Sequence, residues 1–234
     1  MSMSVNNENN LDRGCITIGR IAPDFTTIST DGVTTLSQFR GKWVLLFSEP
    51  AGFTSTSTVS IVELSRMYEE FTKRNVQILL LSLDNNFANI SWLNDIHDFY
   101  GIVVPFPVLE DRDKIIAKSY NIVNPDRIYE ESVRDLFIIS PEGRIRAIIT
   151  YPVSVGRNYY EILRVIDSLQ LTEAYGVYTP PNWMPGDSVM IPAVSTFREA
   201  LQLKEKGHEM GLNCVTFYNC FKDYNTLEKQ ENTV

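Results

Sequence analysis

Residues 42–48 read Lys-Trp-Val-Leu-Leu-Phe-Ser, an apolar run held between Gly41 and Pro50. A short run of this kind, bounded by turn residues, predicts a strand buried on both faces of a sheet. Such a strand needs amphipathic helices to cover it, and the chain supplies them. In residues 58–73, Ile61, Val62, Leu64, Tyr68 and Phe71 fit one helical stripe, while Glu63, Arg66, Glu69, Glu70 and Lys73 fill the other face. Residues 76–83 form a second apolar run and predict a second buried strand.

The alternation continues. Residues 87–100 carry helical spacing in Phe87, Ile90, Leu93 and Ile96. A short strand is expected at 106–109, and a short helix at 113–120 with Asp111 as its N-cap. Residues 133–140 and 144–151 flank Pro141-Glu142-Gly143 and read as an antiparallel hairpin. Asn158 opens a last helix to about Leu169. The order β-α-β-α-β-α-β-β-α predicts an α/β fold of three layers, a mixed sheet with helices on both faces. A βαβ unit followed by ββα is the thioredoxin-like arrangement. After Leu171 the texture changes, with Pro180, Pro181, Pro185, Gly186 and Pro192 breaking regular structure around one short helix at about 195–206. The expected division is a flexible tail over 1–15, a thioredoxin-like domain over 16–170, and a C-terminal extension over 171–234.

The net charge of −8 disfavours contact with phosphate backbones and anionic lipid, so neither nucleic acid nor membrane is an expected partner. No apolar run reaches the ~20 residues of a membrane helix, and the polar start of the chain lacks the apolar core of a signal peptide. A cytoplasmic location is the default expectation. Cys15, Cys214 and Cys220 are too few, and odd in number, for a disulfide-stapled secreted domain. No Cys/His cluster has zinc spacing, so neither metal nor cofactor is expected. Cys15 is expected to be a partly buried free thiol, His97 and His208 surface residues on helices, and Trp92 and Trp183 core or interface anchors.

The segment after the first buried strand reads Pro50-Ala51-Gly52-Phe53-Thr54-Ser55-Thr56-Ser57. It is similar to the peroxiredoxin signature Pro-x-x-x-Thr-x-x-Cys at every fixed position except the last. Gly19–Phe25 resembles that family's entry strand. Arg134 stands where the family keeps an active-site arginine. Tyr151-Pro152, Gly156-Arg157-Asn158 and Glu161–Arg164 resemble the segment after its hairpin. Thr179-Pro180, Asn182-Trp183 and Gly186-Asp187 resemble the start of the long arm of its one-Cys or archaeal-type subfamily. The resemblance covers about residues 16–192. It implies peroxide reduction by a thiolate at the position of Ser57, helped by the helix N-terminus and by Arg134. Thr54 would bind the peroxide, Pro50 would shield the pocket, and Arg157 joins Arg134 or forms a structural ion pair. Thr54 and Pro50 also have plain readings, a helix cap and a strand end.

Serine cannot take over this chemistry, because an alcohol stays neutral under shifts that ionise a thiol and has no sulfenic product. The expected consequence is a chain inactive as a peroxidase. Other positions depart from the pattern as well. The family has His, Asp and Thr-Glu where this chain has Glu49, Gly52 and Val59-Ser60, and a His at the place of Asn89. Glu49 adds a negative charge that opposes a thiolate. Scattered departures favour natural loss over laboratory Cys-to-Ser exchange. Cys214 and Cys220, with Phe217 and Tyr218 between them, resemble the arm that carries the resolving cysteine, and their bland reading is two packed thiols. The resemblance implies a homo-oligomer, a dimer or a ring of dimers built partly through a C-terminal dimerisation extension, with a thioredoxin-like reductant. The competing functions are a non-enzymatic scaffold or chaperone-like oligomer, and a dithiol redox partner acting through Cys214 and Cys220.

Overall fold

The computed structural model describes residues 16–122, 134–225 and 227. Cys15, the expected tail and Val133 lie outside them. The chain divides into two compact units, Met1–Asn158 and Tyr159–Val234.

The first unit is organised around the buried strand that the sequence announces. Its elements are β1 (Thr26–Ser29), β2 (Gly32–Thr35), β3 (Trp43–Glu49), α1 (Ser55–Arg66), α2 (Tyr68–Thr72), β4 (Val76–Ser82), α3 (Asn86–Tyr100), β5 (Val108–Glu110), α4 (Ile115–Ser119), β6 (Arg134–Ile139) and β7 (Ile145–Tyr151). The strands form one mixed sheet in the order β2-β1-β5-β4-β3-β6-β7. β3, β4 and β5 run parallel, joined by helical crossovers. β6 and β7 are the expected antiparallel hairpin, laid against β3. All seven residues of β3 are buried, as a central strand covered on both faces requires.

Period-two alternation sorts the strand side chains. Val44, Leu46, Leu79, Leu81, Phe137 and Ile139 share one apolar cluster with Ile116 and Ala117 of α4 and with Tyr120. Phe47 looks the other way, where it meets Phe106 at 6.1 Å, and Phe106 in turn meets Tyr68 of α2 at 6.3 Å. Glu49, two residues beyond Phe47, shares its side of the strand.

Four details differ from the sequence reading. The β1–β2 hairpin has too little apolar alternation to stand out. The first long helix starts at Ser55 and breaks at Met67, whose N–H is shared between the carbonyls of Glu63 and Leu64. On α3 the buried residues are Asn89, Trp92 and Ile96, while Phe87 is 85% exposed. Asp111 serves α4 from outside its first turn, its carboxylate accepting N–H bonds from Ile116 at 3.0 Å and Ala117 at 2.7 Å.

The second unit contains α5 (Tyr159–Tyr175), β8 (Val189–Met190), α6 (Phe197–Lys206), β9 (Leu212–Thr216) and β10 (Asn219–Lys222). The expected short helix is α6, opened by a Thr196–Glu199 capping box. His208 is exposed but lies just past that helix. The three short strands form a sheet in the order β8-β10-β9, which the proline-rich texture conceals. Trp183 is buried with Leu171, Val177, Val189 and Leu227, and its indole N–H donates to the Asp187 carbonyl at 3.1 Å. Among the described residues no helix is long and apolar enough to cross a membrane.

Asp135 on β6 is buried and accepts a hydrogen bond from the Thr150 hydroxyl at 2.5 Å. Burial pushes its carboxyl above the usual carboxylate range, against the opposing pull of that hydroxyl and of Arg157. A raised folded value favours folding at low pH, and that contribution is lost as pH climbs through it. Asp135→Asn removes the titration. Relative to the unmodified protein, it should gain stability as pH rises from about 4 to neutrality. Thermal melts of both proteins across that range check this, and a variant that loses stability relative to the parent as pH rises defeats it.

Candidate active site

The site lies at the carboxyl end of the parallel strands, where a sheet of this kind opens its crevice. β3 delivers Glu49. The chain then turns through Pro50–Phe53, with Phe53 in the left-handed region at φ 56°. The N–H of Gly52 donates to the Asp84 carboxylate at 2.7 Å. A Cβ at position 52 would come within 3.1 Å of the Trp92 ring and 3.2 Å of that carboxylate. α1 follows, with Ser57 in its first turn and fully buried. β6 begins at Arg134, and Arg157 comes from the segment after β7.

These side chains converge on one carboxylate. Glu49 Oε2 accepts from Arg134 Nη1 at 2.5 Å and from Ser57 Oγ at 2.8 Å. Glu49 Oε1 accepts from Arg157 Nη1 and from Ser60 Oγ, the latter at 2.9 Å. Arg134 also donates from Nη2 to Ser57 Oγ at 3.3 Å and from Nε to the Val153 carbonyl at 3.0 Å. Arg157 donates from Nη2 to the Ser48 carbonyl at 2.5 Å, and its guanidinium lies 5.3 Å from the centre of the Phe47 ring. The Glu49, Arg134 and Arg157 side chains are at most 2% exposed.

Charges so deeply buried are tolerated only when paired and hydrogen-bonded. Two guanidiniums and one carboxylate meet that condition with one positive charge in excess, next to the N-terminus of α1. The Ser57 hydroxyl has a fixed place in the network, giving its proton to Glu49 and accepting from Arg134. It is a neutral relay between two charged groups and carries no sulfur to oxidise. The pocket is arranged to hold an anion, and the anion it holds is its own.

Ser57, Arg134 and Arg157 therefore meet within one cluster, and the ion pair of Arg157 with Glu49 sits inside it. Pro50 is half-buried at the strand end. Thr54 holds the N-cap backbone position but is exposed, and its hydroxyl donates to the Ala51 carbonyl at 3.3 Å instead of capping the helix. Asn89 is buried, and neither its amide oxygen nor its nitrogen has a partner among the described residues. Cys214 and Cys220 belong to the second unit, face each other across β9 and β10, and are joined by a disulfide. Sequence reasoning noticed Glu49 only as an unfavourable charge and missed it as the hub, along with Ser60. The available signal was a carboxylate closing a fully buried strand in a chain with two arginines expected nearby.

Comparison with known proteins identifies the family and the fold. A profile of the AhpC/TSA family matches residues 18–148, and one for the C-terminal domain of 1-Cys peroxiredoxin matches residues 168–207. The chain is 41% identical over 214 residues to peroxiredoxin 2 of Caldanaerobacter subterraneus subsp. tengcongensis, covering 91% of this chain and 96% of that one. It is 43% identical over 192 residues to peroxiredoxin 2 of Picrophilus torridus, covering 82% and 94%. Among solved structures, a yeast mitochondrial 1-Cys peroxiredoxin superposes with a TM-score of 0.79 at 35% identity, over 88% of this chain and 99% of that one. A Cys-to-Ser mutant of the peroxiredoxin 6 of Arenicola marina gives 0.79 at 32% identity, over 89% and 98%. The fold is thus the thioredoxin-like one expected from the element order, and the chain belongs to the AhpC/TSA family of peroxiredoxins.

Proposed function

We propose that this protein is a peroxiredoxin-family member that has lost peroxidase chemistry, retaining the scaffold of a thiol-dependent peroxide reductase without its nucleophile. The observation that carries this reading is the hydroxyl of Ser57 at the first turn of α1, hydrogen-bonded to Arg134. An alcohol there stays protonated at neutral pH and offers no lone pair comparable to a thiolate for the O–O bond. The setting of Gly52 favours natural loss, since an acidic side chain there would run into Trp92 and face the carboxylate of Asp84. In this reading the wall of the pocket has changed together with the nucleophile.

The Cys214–Cys220 pair is read as the remnant of a resolving dithiol. With no sulfenic acid to attack at position 57, it serves as a covalent link across its hairpin. The match of the C-terminal domain supports self-association, and we take the protein to be at least a dimer. A thioredoxin-like reductant would have no oxidised active-site sulfur to reduce.

Purified protein given hydrogen peroxide and a dithiol reductant should consume peroxide no faster than the buffer blank. Turnover that vanished on Arg134→Ala would overturn the reading. Glu49→Ala strands two buried guanidiniums and should cost about 3–5 kcal/mol in denaturant unfolding. Ser60→Ala, which removes one hydrogen bond to the same carboxylate, should cost only about 1 kcal/mol. Light scattering should return at least twice the chain mass of 26.7 kDa, and a monomer would remove the self-association claim.

A further inference from the structure

We propose that Glu49, and not Ser57 alone, holds the site off: its carboxylate occupies the arginine pair that an anion at position 57 would need. Restoring sulfur at position 57 would then give a neutral, unreactive thiol until Glu49 also loses its charge. This goes beyond the loss of peroxidase chemistry, on which it rests, because it assigns the loss to two residues in contact.

The distances decide the sign. A sulfur at position 57 would stand where Ser57 Oγ now lies 2.8 Å from Glu49 Oε2 and 3.3 Å from Arg134 Nη2. The nearer charge is the negative one. Arg157 gives Nη1 to Glu49 Oε1 and Nη2 to the backbone carbonyls of Ser48 and Asp135. Arg157 and the start of α1 still favour an anion, but the carboxylate in direct contact offsets the nearest guanidinium, and burial acts against a thiolate. The hydrogen bond acts in the same direction. A carboxylate has no proton to give, so the group at 57 must keep its own in order to bond to it. Of the other acidic groups around the cluster, Asp135 on β6 turns its carboxyl to Thr150, and Asp84 after β4 accepts from Gly52. Neither contacts Ser57. Ser60, on the same helix, donates to Glu49 and brings no charge.

When Glu49 is replaced by Gln, the balance reverses. The amide keeps the size of the side chain but removes the charge, leaving two guanidiniums and the start of α1 facing position 57. A thiolate there becomes the only anion in the cluster and its natural counter-ion. The two substitutions should therefore be non-additive, each changing the effect of the other.

The test compares Ser57→Cys with Ser57→Cys/Glu49→Gln, both in a Cys15→Ser background with the C-terminal disulfide oxidised. This leaves one thiol to titrate by ultraviolet thiolate absorbance. Ser57→Cys should titrate at or above the ordinary thiol value of about 8.5, and the double variant at least about one unit lower. Reaction of that thiol with hydrogen peroxide at neutral pH should follow, with the double variant about tenfold faster or more. A Ser57→Cys thiol that ionises below the ordinary value overturns the proposal, as does a double variant with the same midpoint as the single one. If the double variant fails to fold, the midpoint of Ser57→Cys alone still decides. Failure of the underlying reading looks different, because it would appear as peroxide turnover by the protein with Ser57 intact.

Discussion

One carboxylate buried between two guanidiniums organises this end of the molecule. Glu49 is the last residue of a strand that is apolar from Trp43 to Phe47 and buried along its whole length. A lone charge at that depth would be intolerable. Arg134 reaches it from the start of β6, Arg157 from beyond β7, and Ser57 and Ser60 from α1, so four side chains from three segments are pinned to one carboxylate. The geometry of the helix start, of the hairpin and of the segment after it all follow from satisfying that carboxylate.

The same arrangement shows what separates a scaffold from a catalyst. Positive charge gathered beside a helix N-terminus is a general device for stabilising an anion. It works on a reacting group only if the group is the anion that fills it. Here a resident carboxylate already holds both guanidiniums, and Ser57 is a bridging hydroxyl. Compensation of this kind also explains how a nucleophile can be lost without exposing buried arginines. The cluster keeps paired charges whether or not position 57 ionises, so the fold does not depend on a thiolate there.

Much of the architecture was legible because period and punctuation are strong where strands are buried. The runs at 42–48 and 76–83 and the hairpin around Glu142 were found at nearly their observed bounds. The β1–β2 hairpin and the three-stranded sheet of the second unit were missed, because their strands are short, half-exposed and interrupted by turn residues. On α3 the spacing of Phe87 and Ile90 suggested a buried stripe, but the interior takes Asn89, Trp92 and Ile96 instead. The indole N–H of Trp92 reaches the Thr58 hydroxyl at 3.0 Å and ties α3 to α1. Position-specific motifs gave Ser57, Arg134 and Arg157. They could not give the pairing scheme, because a residue that departs from a family's pattern has no role recorded in it.

Glu49 makes that last limit physical. A sequence reading counts a carboxylate near a prospective thiolate as a nearby like charge, a perturbation of the site. The structure makes it the site's occupant, bonded to both guanidiniums that would face a thiolate. The difference is one of hydrogen-bond direction as much as of distance. Arg134 and Arg157 each commit a donor to Glu49, and the Ser57 hydroxyl donates to it as well. In the proposed reading two places separate this site from a working one, the atom that would attack and the charge that would have prepared it.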